Sequence, residues 1–133
     1  MALKSETMPI ATSADVVKVR QLARQWATEL KFSLVDQTKL VTAASELARN
    51  TLEHGGGGSV LASIVEEGAR KGIKLSFDDK GPGIANLELA LRDGYTTGGG
   101  MGLGLSGSKR LVNDFEIKSE PGRGTTVTII RWK

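Results

Sequence analysis

The amino-acid sequence predicts a two-layer α/β sandwich, with helices covering one face of a mixed, largely antiparallel sheet. Three observations lead there. Two long stretches repeat apolar residues at steps of three and four, as amphipathic helices do. β-Branched runs come in pairs around short turns, the mark of hairpins. Glycines gather in one long segment that no packed element can use, so that segment reads as a loop with a task.

Residues 7–12 read as a short edge strand, after which Ser13 or Asp15 supplies the N-cap of a helix running to about Leu30. Val16, Val19, Ala23, Trp26 and Leu30 draw one buried stripe along it, so Trp26 is assigned to the core. A second helix begins near Ser33 and reaches His54, where Gly55, Gly56, Gly57 and Gly58 tolerate the backbone geometry that ends it. Leu40, Ala44, Leu47 and Thr51 lie on its inner side, broadened by Val41, Ala48 and Leu52. Thr42, Glu46, Asn50 and His54 form a polar stripe at four-residue spacing.

Residues 59–66 and 73–79 read as a hairpin with a loose turn at 68–72. Asn86 caps a short helical segment to residue 92, and seven of the seventeen glycines then fall between positions 94 and 107. A helical pattern at 105–113 turns Lys109 and Arg110 outward. The closing strands, 115–119 and 125–132, surround a Pro121-Gly122 turn. No linker, internal repeat or composition shift divides residues 1–133, which are expected to form one domain.

Composition narrows the class. A chain of 133 residues with 39% apolar and 25% charged residues has what one unstapled globular core requires. Without cysteine there are no disulfides or thiolate metal sites, which suits a reducing compartment and makes the cytoplasm the expected location. No stretch has the apolar length of a membrane span, and the first ten residues lack the pattern of a leader. The net charge of +3 comes from scattered Lys and Arg, which disfavours a nucleic-acid face and equally suits an acidic protein partner.

Four groups of residues bear on chemistry. Glu46 and Asn50 stand one helical turn apart, so a carboxylate and an amide oxygen project side by side. A solvated helix face is the plain reading of such a pair; the chemical one is a magnesium ion carried in on substrate phosphates, which needs only a few protein oxygens. Asp78 and Asp79 end a strand before the sharp turn Gly81-Pro82-Gly83. Alternation puts Phe77 and Asp79 on one face, so Asp79 is the acid that can accept from an exocyclic amine, while Gly83 lets a planar ring approach.

The run Gly98, Gly99, Gly100, Met101, Gly102, Leu103, Gly104 passes straight into a helix, and unobstructed N–H groups beside a positive helix end make a phosphate cradle. It lacks the Gly-Lys-Ser/Thr of a Walker loop and the preceding strand of a dinucleotide fingerprint. A flexible linker is the bland alternative, against which Met101, Leu103 and Leu105 argue. Last, Gly124 and Thr125 open the final strand, where Thr125 either sets a hydroxyl beside a buried base or simply starts a strand.

In this order, Glu46-Leu-Ala-Arg-Asn50, Asp79-Lys-Gly-Pro-Gly83, Gly100-Met-Gly-Leu-Gly104 and Gly124-Thr125 resemble the N, G1, G2 and G3 boxes of the GHKL ATPases, which include gyrase, heat-shock chaperone, histidine kinase and MutL domains. The resemblance spans nearly the whole chain and implies a Bergerat-type sandwich. Ser45-Glu-Leu-Ala-Arg-Asn50 and Gly94-Tyr-Thr-Thr-Gly-Gly-Gly100 are more closely similar to the small bacterial anti-sigma regulatory serine/threonine kinases, the stressosome switch kinases among them. That likeness implies ATP as co-substrate with Mg2+ on Asn50, the adenine amine on Asp79, and a base pocket shaped by Gly81 and Gly83. It further implies phosphates wrapped by residues 98–104, with Glu46 as general base.

The implied acceptor is a serine or threonine on a STAS-domain antagonist protein, and the implied downstream partner a metal-dependent serine phosphatase or a sigma factor. A nucleotide-gated binding module with little catalysis is the alternative. No Arg or Lys occurs from Tyr95 to Ser108, so the cation for the γ-phosphate is sought among Arg49, Lys80 and Lys109. His54, the only histidine, reads most plainly as a helix-terminal residue near the last carbonyls.

Overall fold

The computed structural model describes residues 2–81 and 104–133. In chain order the elements are β1 (Ala2–Ile10), α1 (Ser13–Glu29), α2 (Leu34–Glu53), β2 (Gly58–Glu67), β3 (Arg70–Asp79), α3 (Gly104–Arg110), β4 (Asp114–Glu120) and β5 (Gly124–Trp132). The strands form one five-stranded sheet in the order β1-β2-β3-β5-β4. The fold is the expected α/β sandwich; each pairing among the described strands is antiparallel, so the mixed component expected of the sheet is not found in them. The expected helix at 86–92 lies outside the described residues.

Helix α1 starts where two side chains secure the free N–H groups of its first turn. Thr12, not Ser13 or Asp15, is the N-cap: its hydroxyl accepts from Asp15 N, while Asp15 Oδ2 accepts from Thr12 N at 3.1 Å and Ala11 N at 2.8 Å. These bonds also fix where β1 stops. Ala11 and Thr12 give their N–H groups to Asp15, so the strand ends at Ile10 rather than Thr12. The other end of α1 closes with Lys31 N on Thr28 O and Phe32 N on Ala27 O, with Lys31 in the left-handed region at φ 63°. Helix α2 then begins on a Ser33 cap whose hydroxyl accepts from Asp36 N.

Both helices pack on the face of the sheet that carries Ile10, Val60, Ala62, Ile73, Leu75, Phe77 and Ile129. Val19, Ala23 and Trp26 of α1, with Leu40, Ala44 and Leu47 of α2, fill the layer between. Trp26 is 1% exposed, so the periodicity assigned it correctly to the core. Burying a large apolar side chain in this way contributes about 1.5–3 kcal/mol.

Arg131 of β5 points into the same layer and ties sheet to helix: its Nη2 lies 2.6 Å from Asp36 Oδ1 at the start of α2. Helix α3 is shorter than the 105–113 expected. Leu111 N already turns back to Ser108 O, and Asn113 is drawn into the sheet, its N–H on Ile130 O and its Oδ1 accepting from Trp132 N. Among the described residues no helix is long and apolar enough to cross a membrane.

Candidate functional site

The last turns of α2 meet the end of β3, the central strand, at one end of the sandwich. On α2 the inward positions are taken by Leu47, Ala48 and Thr51, which leaves Glu46 and Asn50 half-buried beside them, one turn apart. The Glu46 side chain is 13% exposed, and its Oε1 pairs with Arg49 Nη1 at 3.3 Å. The Asn50 main-chain oxygen accepts from His54 N at 2.9 Å and Gly55 N at 3.2 Å, closing the helix. Its side-chain amide makes no hydrogen bond among the described residues. His54 is the C-cap residue, as its position suggested.

Gly55 then brings α2 against β3. A β-carbon on Gly55 would stand 2.6 Å from Asp79 Oδ2, and one on Gly81 would stand 2.6 Å from Gly55 Cα, so three residues share a space that no side chain on either glycine would leave. Asp79 Oδ1 accepts from Gly81 N at 2.9 Å, folding the chain after β3 back over its own carboxylate. That bond fixes the carboxyl group and leaves Oδ2 without a hydrogen bond among the described residues.

The alternation expected at the strand end is present. Phe77 is buried in the helix layer, whereas Asp78 faces the other way and accepts from Thr126 Oγ1 at 2.8 Å. Asp79 is the direct register partner of Thr125 on β5. The Thr125 hydroxyl is shared with Ser119 at 2.8 Å, and Ser119 Oγ also donates to Gly124 O at 3.2 Å. Gly124, at φ 99°, lets β5 start directly against the Asp79 carbonyl.

Of the residues singled out in the sequence, Glu46 and Asn50 share one turn of α2, Asp79 and Gly81 lie in contact, and Thr125 sits across from Asp79. Gly104 is the first residue of α3, which packs against α2. Gly83, Gly98, Gly99, Gly100, Met101, Gly102 and Leu103 lie outside the described residues. Of the three cations considered for phosphate, Arg49 is engaged with Glu46, while Lys80 and Lys109 are exposed.

Two residues escaped the sequence reading. Gly55 was visible only as a helix stop, because its second role depends on a tertiary contact. Ser119 carried a signal in the hairpin register, since a turn centred on residues 121–123 pairs it with Thr125.

A helix bearing a carboxylate and an amide, docked through glycines on a strand-terminal acid, defines the class. The family described as Histidine kinase-, DNA gyrase B-, and HSP90-like ATPase matches residues 35–133, and the chain belongs to it. Within that class it is 43% identical over 92% of its length to the Serine/threonine-protein kinase RsbT of Bacillus subtilis (strain 168), 92% of which is covered. It is 30% identical over 91% of its length to an Anti-sigma F factor of Bacillus licheniformis, with 86% of that protein covered. A crystal structure of the RsbU and RsbW domains of a Mycobacterium tuberculosis protein superposes with a TM-score of 0.66 at 23% identity; it covers 98% of this chain, which spans 33% of that one. At that identity the likeness concerns the fold.

Proposed function

We propose that this chain is an ATP-dependent serine/threonine protein kinase that phosphorylates a STAS-domain antagonist protein and acts in partner switching. The observation that carries the reading is the seating of Gly55 on Asp79, which brings the C-terminal end of the helix that bears Glu46 and Asn50 against the strand-terminal acid. The likeness to RsbT and to anti-sigma F factors supports the reaction class and the regulatory setting.

The residues fit a nucleotide in the following way. Asp79, held through Oδ1, offers Oδ2 to an exocyclic amine, and Gly81 turns the chain directly after it. Asn50 offers a side-chain oxygen to a hard cation, and such an amide with phosphate and water oxygens is a donor set that Mg2+ accepts. When bound, Mg2+ would offset the charge developing on the transferred phosphoryl group. Glu46, mostly buried and paired with Arg49, would take the proton of an acceptor hydroxyl. Thr125 gives a hydroxyl beside Asp79, oriented by Ser119.

Incubation of the purified protein with labelled ATP and a set of STAS-domain proteins tests the reading. Transfer to at least one serine or threonine is expected, and Glu46→Gln should lower its rate by about a hundredfold or more while nucleotide still binds. Nucleotide binding without transfer to any of them would remove the kinase.

The Glu46–Arg49 ion pair favours one second reading, a nucleotide-gated binding module, because one of the two carboxylate oxygens is already engaged by a guanidinium within the same helix turn. Under that reading Glu46→Gln leaves partner capture and its ATP dependence unchanged.

A further inference from the structure

At the end of the sheet remote from the Asp79 site, a cleft of about 460 Å³ opens between the α1–α2 connection and the β2–β3 hairpin. It is lined by Lys31, Arg70, Lys71 and Lys133, together with Glu29, Leu30 and Ala69. Strand β3 starts at Arg70 in this cleft and ends at Asp79, so the two sites are roughly 30 Å apart along the strand.

The charges lining this cleft are unbalanced. Glu29 is answered by Lys4 at 3.6 Å, and Arg70 by Glu67 at 2.9 Å, with its guanidinium stacked 3.9 Å over the Trp132 ring. Lys31, Lys71 and Lys133 have no ion-pair partner among the described residues. Lys71 and Lys133 are fixed side by side, because Lys133 N donates to Lys71 O at 2.9 Å.

Lys31 occupies a backbone position that favours glycine, at φ 63°. A residue with a β-carbon held there is strained, and what its side chain touches is the cleft. Three and four residues further on, Leu34 and Val35 are 72% and 62% exposed, adjacent apolar side chains on the first turn of α2.

We propose that this cleft with its Leu34–Val35 flank is a docking surface for an acidic segment of a protein partner, one that carries apolar side chains among its carboxylates. Three ammonium groups without an ion-pair partner among the described residues, one of them (Lys71) across the strand from Glu66, leave a net positive face that attracts carboxylates, and the neighbouring apolar pair recognises what a bare polyanion does not offer. A nucleic-acid backbone would use the lysines and leave Leu34 and Val35 wet. The surface is independent of the phosphotransfer reading, since it shares no residue with that site.

The test uses the whole chain and a fluorescent peptide of Glu-Glu-Leu repeats, with a Glu-Glu-Ser peptide and oligothymidylate as comparison probes. Anisotropy at low and high salt measures affinity, and amide chemical shifts locate the contact. The Glu-Glu-Leu peptide should bind tightest, move the amides of Lys31, Leu34, Lys71 and Lys133, and weaken as salt shortens the screening length.

Lys31→Gly relieves the strained backbone and so keeps the fold; with Lys71→Glu it should weaken the peptide by about tenfold or more and leave ATP affinity within about twofold. Equal or tighter binding of oligothymidylate would overturn the proposal. So would shifts confined to the Asp79 end, an unchanged affinity in the double variant, or self-association of the chain through this face.

Discussion

Gly55 lies against the Asp79 carboxylate so closely that a β-carbon on the glycine would stand 2.6 Å from Oδ2. The contact is what allows the C-terminal end of α2 to approach the end of β3. Gly55→Ala should therefore push the carboxylate off its bond to Gly81 N. Overpacking of this kind costs about 1–3 kcal/mol. ATP affinity measured by calorimetry is expected to fall by about tenfold or more. An unchanged affinity would mean that the carboxylate does not need its present position.

Much of the fold was legible because burial is periodic. The apolar stripes of α1 and α2 sit on long uninterrupted segments, and most of their inner faces are the residues that the spacing of three and four selects; Ala27 and Ala43 are buried beside them, while Leu30 and Leu52 are only partly buried. Strand β1 was read short for a physical reason: Lys4 and Glu6 occupy positions facing the helices, and Lys4 sits 4.9 Å over the Trp26 ring, so the alternation of apolar and polar residues is broken where tertiary contact replaces it. Helix α3 was read long because Leu111 and Val112 fit its pattern, whereas Asn113 is captured by β5. In the candidate site, the acid and the amide were selected by type and spacing. The fit of Gly55 and the pairing of Ser119 with Thr125 exist only after the chain has folded.

The cap of α1 separates two neighbouring hydroxyls. Thr12→Ala removes the acceptor for Asp15 N and should cost about 0.5–2 kcal/mol in equilibrium urea unfolding. Ser13→Ala, one residue inside the helix, is expected to change stability by less than about 0.5 kcal/mol. Equal losses in the two variants would place the cap elsewhere.

Part of the acid sensitivity should trace to Asp36, and part to Asp15, whose carboxyl the Ala11 N–H also holds below its ordinary value. The hydrogen bond from Arg131 holds the Asp36 carboxyl below the ordinary value of 3.8; desolvation opposes this, and the Arg131 charge, the Ser33 hydroxyl and Lys39 add to the lowering. A carboxyl depressed in the folded state contributes stability above its unfolded value, and that contribution is lost as pH falls through the folded value. Asp36→Asn should accordingly lower the thermal midpoint at neutral pH, all the more because Arg131 is 15% exposed and its Nε already lacks a partner among the described residues. The gap between variant and wild type should stay constant from pH 7 down to about pH 5 and narrow below 3.8. A gap independent of pH would assign the loss to packing.

The adjacent acids at the end of β3 provide the sharpest separation of stability from binding. Asp78 faces away from the helices and receives the Thr126 hydroxyl at 2.8 Å, so Asp78→Ala removes one partly buried hydrogen bond and should cost about 1.5–3 kcal/mol, the range for a charged acceptor. Nothing in that geometry touches the site, and ATP affinity is expected to stay within about twofold. Asp79→Asn keeps an oxygen for Gly81 N but presents an amide where a carboxylate would meet an exocyclic amine. Its unfolding free energy should change by less than about 1 kcal/mol, while ATP affinity falls by about a hundredfold, an effect read by titration of ATP against each variant beside its urea curve. Were Asp78→Ala to lose ATP and Asp79→Asn to keep it, the strand would present its other face to the nucleotide, and the assignment built on alternation would be reversed.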